Sequence, residues 1–72
     1  MKIYLIYEEY YNYYTETYDY VTAYPYKSMD DVIQRLIDET GKTKEEIEQD
    51  LKETNSTATV HFYYRIEESE LL

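Results

Sequence analysis

The chain has 72 residues, 43% of them hydrophobic, and no cysteine. At this length folding removes only about 60% of the unfolded chain's surface from water, which argues against a deep enclosed active site, and the missing thiols rule out disulfides and thiolate zinc ligands. Sixteen Asp and Glu against seven Lys and Arg give a formal charge of -9, which repels phosphate backbones and anionic lipid surfaces; direct nucleic-acid or membrane binding is disfavoured, and a basic protein partner is favoured.

Residues 2–10 alternate with period 2, placing Ile3, Leu5 and Tyr7 on one side and Tyr4, Ile6 and Glu8 on the other, and this predicts a strand. The apolar start is too short before Glu8 and Glu9 for a signal peptide or a membrane span, so the expected location is the cytoplasm of a bacterial host. Residues 18–26 alternate again, with Tyr18, Tyr20, Thr22, Tyr24 and Tyr26 on one predicted face and Asp19, Val21, Ala23 and Pro25 on the other. Pro25 cannot donate to a ladder, which predicts a strand end or a sheet edge there. No glycine or Asn-Gly pair lies between the two strands, so they are expected to form a long hairpin studded with tyrosines, with Asn12 the residue best suited to a left-handed backbone.

Ser28 followed by Met29, Asp30 and Asp31 reads as a helix start, with Ser28 as N-cap and two carboxylates at the positive end of the helix dipole. Met29, Val32, Ile33, Leu36 and Ile37 form one apolar stripe, and Gly41 is placed to close the helix after Thr40. Thr43 with Glu46 makes a capping box for a second helix ending near Glu53, which offers only Ile47 and Leu51 to a core and is expected to be loosely held. Residues 57–67 then read as a third strand, with Ala58, Val60, Phe62, Tyr64 and Ile66 on one face and Thr57, Thr59, His61, Tyr63 and Arg65 on the other.

The expected architecture is a single α+β domain over residues 1–72: a three-stranded, mostly antiparallel sheet with one or two helices on one face, in the order β-β-α-α-β. Ile3, Leu5, Val21, Ala23, Val60, Phe62 and Ile66 are predicted to meet the helices, leaving Tyr4, Ile6, Tyr20, Tyr24, His61 and Tyr63 on an open sheet face. Three stretches carry a resemblance: residues 2–10 (KIYLIYEEY), residues 28–33 (SMDDVI) and residues 64–71 (YRIEESEL). Through them the sequence resembles small uncharacterised phage and bacterial proteins of β-β-α-β layout, departing from them in its extra capped helix and its density of tyrosine. The resemblance implies a fold and a mobile-element origin, and no chemistry.

The motifs that would carry catalysis are incomplete. His61 is the only histidine, so no nucleophile finds a base with an orienting partner, and a surface histidine stacking on Tyr4 or Tyr63 is expected. Thr40-Gly41-Lys42-Thr43 lacks the upstream glycine of a phosphate loop, and Asn55-Ser56-Thr57 matches a glycosylation sequon without a secretory context. No cofactor or metal is expected, and the protein is read as no enzyme. The twelve tyrosines outnumber what so small a core can hold, and their hydroxyls need partners, so most should sit half exposed at an interface. The expected partner-binding residues are Tyr4, Tyr10, Tyr13, Tyr14, Tyr20, Tyr24, Tyr63, Glu8 and Glu9, with Glu45 and Glu48 on a phosphate-mimicking helical surface. The function expected is an acidic inhibitor of a nucleic-acid-binding host defence protein, of the anti-CRISPR or anti-restriction type. The alternative is a structural or adaptor module without inhibitory role that self-associates, as a homodimer for instance, through its tyrosine face.

Overall fold

The computed structural model describes residues 2–70, the side chains of residues 20–22 excepted. The elements are β1 (Lys2–Asn12), β2 (Thr17–Tyr26), α1 (Met29–Thr40), α2 (Lys44–Thr54), β3 (Ser56–Ala58) and β4 (Phe62–Glu70). Among the described residues the strands form one antiparallel sheet in the order β2-β1-β4-β3. The fold is thus α+β with two helices and an antiparallel sheet, and the sheet has four strands where the sequence pattern predicted three.

The fourth strand arises because the segment read as one strand over residues 57–67 folds back on itself. The Thr59 N–H donates to the Phe62 carbonyl at 2.8 Å, and the Thr59 hydroxyl accepts the Phe62 N–H at 3.1 Å. Val60 and His61 are left at the loop tip, and neither has a positive φ. The turn therefore carries no glycine or asparagine and reads as continuous strand; a threonine side chain supplies the closing bond instead. Val60, predicted in the core, is 78% exposed there.

The β1–β2 hairpin is as long as expected, with Asn12 paired to Thr17 across the turn. Asn12 acts through its side chain, whose Oδ1 accepts the Tyr14 N–H at 2.9 Å and the Thr15 N–H at 3.3 Å. Glu16 takes the left-handed position instead, at φ 58°. Farther down, Glu8 pairs with Thr22 but Glu9 pairs with Tyr20, so Val21 is an extra residue that bulges β2. That one insertion ends the period-2 pattern, and the predicted tyrosine face of β2 is divided between both sides of the sheet.

The helices cover the side of the sheet that bears Ile6, Tyr64 and Ile66, which are buried with Val32, Leu36 and Ile47. Tyr4, Tyr26, Ile33, Ile37, Leu51 and Phe62 pack around this core. Phe62 and Ile66 lie where predicted, whereas β1 is inverted: Ile6 and Tyr4 face the helices, and Ile3 and Leu5 face away. β1 is apolar on both sides, so its own alternation cannot choose a face; its pairing of Ile6 with Ile66 and of Glu8 with Tyr64 does. Ala23, paired with Tyr7, also lies on the open face, and the predicted burial of Val21 falls outside the described side chains.

The helix ends follow the predicted chemistry. The Ser28 Oγ accepts the Asp31 N–H at 3.2 Å, and Gly41 closes α1 in the left-handed region at φ 73°. Both halves of the Thr43–Glu46 capping box are made, and Asn55 closes α2 at φ 56°. α2 is held more firmly than its two apolar anchors suggested. The Lys42 ammonium donates to Asp50 Oδ2 and to Thr57 Oγ1, both at 2.9 Å, and Thr57 Oγ1 donates to Asp50 Oδ2 at 2.7 Å. This triangle ties the interhelical loop, α2 and β3 together; the bonds from Thr57 and then Lys42 hold the Asp50 carboxyl below its ordinary range.

Candidate functional site: the tyrosine arm

The helices cover only the half of the sheet around Ile6 and Ile66, and no residue from Tyr10 to Asp19 is buried. The far end of the β1–β2 hairpin, with the Val60–His61 tip leaning on it, forms an arm on a molecule measuring 40 × 29 × 20 Å. Its backbone is joined to that tip where the Tyr11 N–H donates to the His61 carbonyl at 3.0 Å. The Tyr13 hydroxyl reaches the Val60 carbonyl at 3.3 Å.

Rings run along the arm on its open face. Tyr11 meets Tyr13 edge-on at 4.7 Å and Tyr18 at 5.0 Å, Tyr18 lies 5.8 Å from Tyr63, and Tyr13 stands at 6.2 Å from His61. On the other face Tyr10 tilts against Phe62 at 5.5 Å, and Phe62 leads at 6.2 Å to the buried Tyr64. Such pairs contribute about 0.5–1.5 kcal/mol each beyond area burial and add to the β1–β2 ladder in supporting an arm that no helix covers. Tyr14 at the turn is fully exposed, and Tyr13 and Tyr18 are more than half exposed.

The charge on the arm has one sign. No Lys or Arg occurs between Lys2 and Lys27, whereas Glu8, Glu9, Glu16 and Asp19 do. At the arm's base Arg65 lies 4.5 Å over the Tyr7 ring, 3.8 Å from Glu9 and bonded to Glu67, so this cation is already engaged. On the helix side Arg35 pairs with Glu39 at 2.7 Å and lies 5.7 Å over the Tyr24 ring. Beside them the Glu8 carboxyl is raised above its ordinary range, by burial first and by the Glu39 charge second, with Arg35 opposing both. Burial likewise pushes the Tyr64 and Tyr26 phenols up.

The expected binding residues are therefore not one surface. Tyr10, Tyr13 and Tyr14 stand on the arm, and Tyr63 and Glu9 lie at its base on the open face. Tyr4 packs against the core, and Tyr24 and Glu8 lie on the helix side beside Arg35, so Tyr4 and Tyr24 do not share a face with Tyr63. Glu45 and Glu48 are exposed on α2, Glu48 standing 3.7 Å from Lys44. The Tyr20 side chain lies outside the described ones. Sequence reasoning missed Tyr11, Tyr18 and Arg65, and His61 packs on Tyr13 instead of on Tyr4 or Tyr63. The signal for the first two was the Asn12–Thr17 closure, which makes Tyr11 and Tyr18 cross-strand partners.

Among the described residues no three His, Asp or Glu side chains converge as metal ligands, and no helix is long and apolar enough to cross a membrane. Comparison with protein families, curated proteins and solved structures finds no match to this chain.

Proposed function

We propose that this chain is a non-catalytic binding protein that docks its tyrosine arm onto a basic surface of another protein. The observation that carries the reading is the arm itself: exposed Tyr13, Tyr14 and Tyr18 beyond the helix-covered core, on a stretch of chain with no basic residue. Tyrosine offers large contact area for little lost rotamer freedom, and its ring face attracts the ammonium and guanidinium groups that a net charge of -9 steers toward it. A groove built to hold nucleic acid presents such groups, so the partner class favoured is a nucleic-acid-handling protein, and the effect is inhibition by occupancy, in the manner of anti-CRISPR or anti-restriction proteins. The size, the acidity and the resemblance to small phage proteins support that finer assignment.

The experiment is competition. The protein should bind immobilised nucleic-acid-handling defence proteins, be displaced by their nucleic acid, and bind more weakly as salt rises. A Tyr13→Ser, Tyr14→Ser, Tyr18→Ser variant that stays folded should lose binding; undiminished binding by that variant overturns the reading. Self-association is the second reading, favoured by the apolar side chains of Ile3, Leu5 and Pro25 on the open face, and a dimer in light scattering that dissociates on Leu5→Lys would support it.

A further inference from the structure

The two edges of the sheet are unlike. β3 has three residues, and beyond it the outer side of β4 is closed by the Ile66 N–H donating to the Asn55 carbonyl at 2.9 Å, then flanked by Glu67, Glu68 and Glu70. β2 runs for ten residues, TYDYVTAYPY, with Asp19 its one charge, no lysine, and no strand outside it among the described residues. Proteins blunt free edges with short strands, lysines or a covering segment; here only the bulge and Pro25 interrupt the edge.

The pairing shows which backbone groups that edge offers. The Tyr11 N–H points to His61 on the β4 side, so alternate residues of β1, Asn12, Tyr10, Glu8, Ile6 and Tyr4, turn their backbone toward β2. Their partners Thr17, Asp19, Thr22, Tyr24 and Tyr26 fill the inner ladder, which leaves Tyr18, Tyr20, Ala23 and Pro25 turned outward. Pro25 thus stands where its missing N–H breaks no ladder bond.

We propose that the β2 edge receives an extended, lysine- or arginine-bearing segment of the partner protein as a further strand, bonded to the outward backbone of Tyr18, Tyr20 and Ala23. This rests on the reading of the chain as a binder of basic proteins and specifies how the partner is held. Charge decides between occupants: a second copy brings another net charge of -9, whereas a cationic strand meets Asp19, with Glu16 close by at the hairpin turn. Main-chain bonds would supply affinity, and alternate side chains specificity. Basic side chains would fall on the Asp19 face and small apolar ones over Ala23 and Pro25.

An amidated decapeptide alternating Lys and Val is the probe, with a Glu–Val counterpart and a version N-methylated at alternate residues. Bound Lys–Val peptide should slow amide exchange at Tyr18, Tyr20 and Ala23; the Glu–Val peptide should not bind, and N-methylation or Ala23→Pro should weaken binding about tenfold or more. The N-methylated peptide tests the edge even if Ala23→Pro fails to fold. No binding by the Lys–Val peptide overturns the inference, as does protection of the same amides by rising protein concentration alone, which would give the edge to a second copy. If binding survives N-methylation and Ala23→Pro but is lost in the Tyr13→Ser, Tyr14→Ser, Tyr18→Ser variant, the edge inference fails and the arm reading stands.

Discussion

Tyr64 and Tyr14 are the same residue placed in the two halves of one hairpin-based sheet, 3% exposed under the helices in one case and fully exposed at the arm's turn in the other. In the body a tyrosine is a core residue whose phenol is pushed up by burial, and it is held among Ile6, Ile66 and Leu36. In the arm the rings hold chiefly one another and leave their outer surfaces to solvent. Burial is therefore concentrated in the body and exposure in the arm, so the arm should be alterable without unfolding the body.

The largest effect should come from cutting the body. Leu36→Ala removes a side chain with no solvent exposure from the centre of the core and should cost about 2–5 kcal/mol, a large fraction of the stability of so small a domain. Tyr14→Ser, at the other end, should change the urea midpoint by the equivalent of about 0.5 kcal/mol or less. A large destabilisation by Tyr14→Ser, or a negligible one by Leu36→Ala, would break the separation of the two halves.

A smaller effect is expected where α1 ends and the chain turns to present α2. A Cβ added at Gly41 meets nothing within 4 Å, so substitution there tests backbone conformation alone, at φ 73°. Gly41→Ala should cost about 1 kcal/mol, and Gly41→Asn less, because asparagine tolerates the left-handed region. Thermal unfolding of the two variants checks the order, and neither should change the exposure of the arm tyrosines.

The body was more legible in the sequence than the arm, for a physical reason. Ser28, Gly41, Thr43 and Glu46 act within a few residues of themselves, so the helix ends follow from local chemistry and appear where predicted. The inversion of β1 and the bulge at Val21 are settled by pairing between distant segments, and the Thr59–Phe62 turn, though local, carries no glycine or asparagine to mark it. β1 has apolar residues on both sides, so only Ile66 and Tyr64 across the ladder choose its buried face. The candidate site inherited that ambiguity: Tyr10, Tyr13 and Tyr14 were legible from the hairpin, while the ring pairs through Tyr11 and Tyr18 required the Asn12–Thr17 closure, and the separation of Tyr24 from Tyr18 required the bulge.

The subtlest expected effect lies where the two halves join, at Glu8. Its carboxyl is raised above the ordinary 4.5 chiefly by burial, with Glu39 adding to the cost of its charge and Arg35 relieving part of it. A carboxyl with a raised folded-state pKa favours folding fully below the unfolded value, and that contribution is lost as pH rises through the higher folded value. Glu8→Gln fixes the neutral form, so it should be more stable than the parent at neutral pH, with the difference closing as pH falls toward 4.5 and below. Asp50 has the opposite sign: its carboxyl is lowered, so its contribution holds above the ordinary 3.8 and is lost as pH falls through the folded value, where Asp50→Asn should converge on the parent. Urea unfolding of both variants across that range separates the two groups. If Glu8→Gln is less stable than the parent at neutral pH, the attraction of the Arg35 charge outweighs the burial of Glu8, and the junction between body and arm is held by charge instead of strained by it.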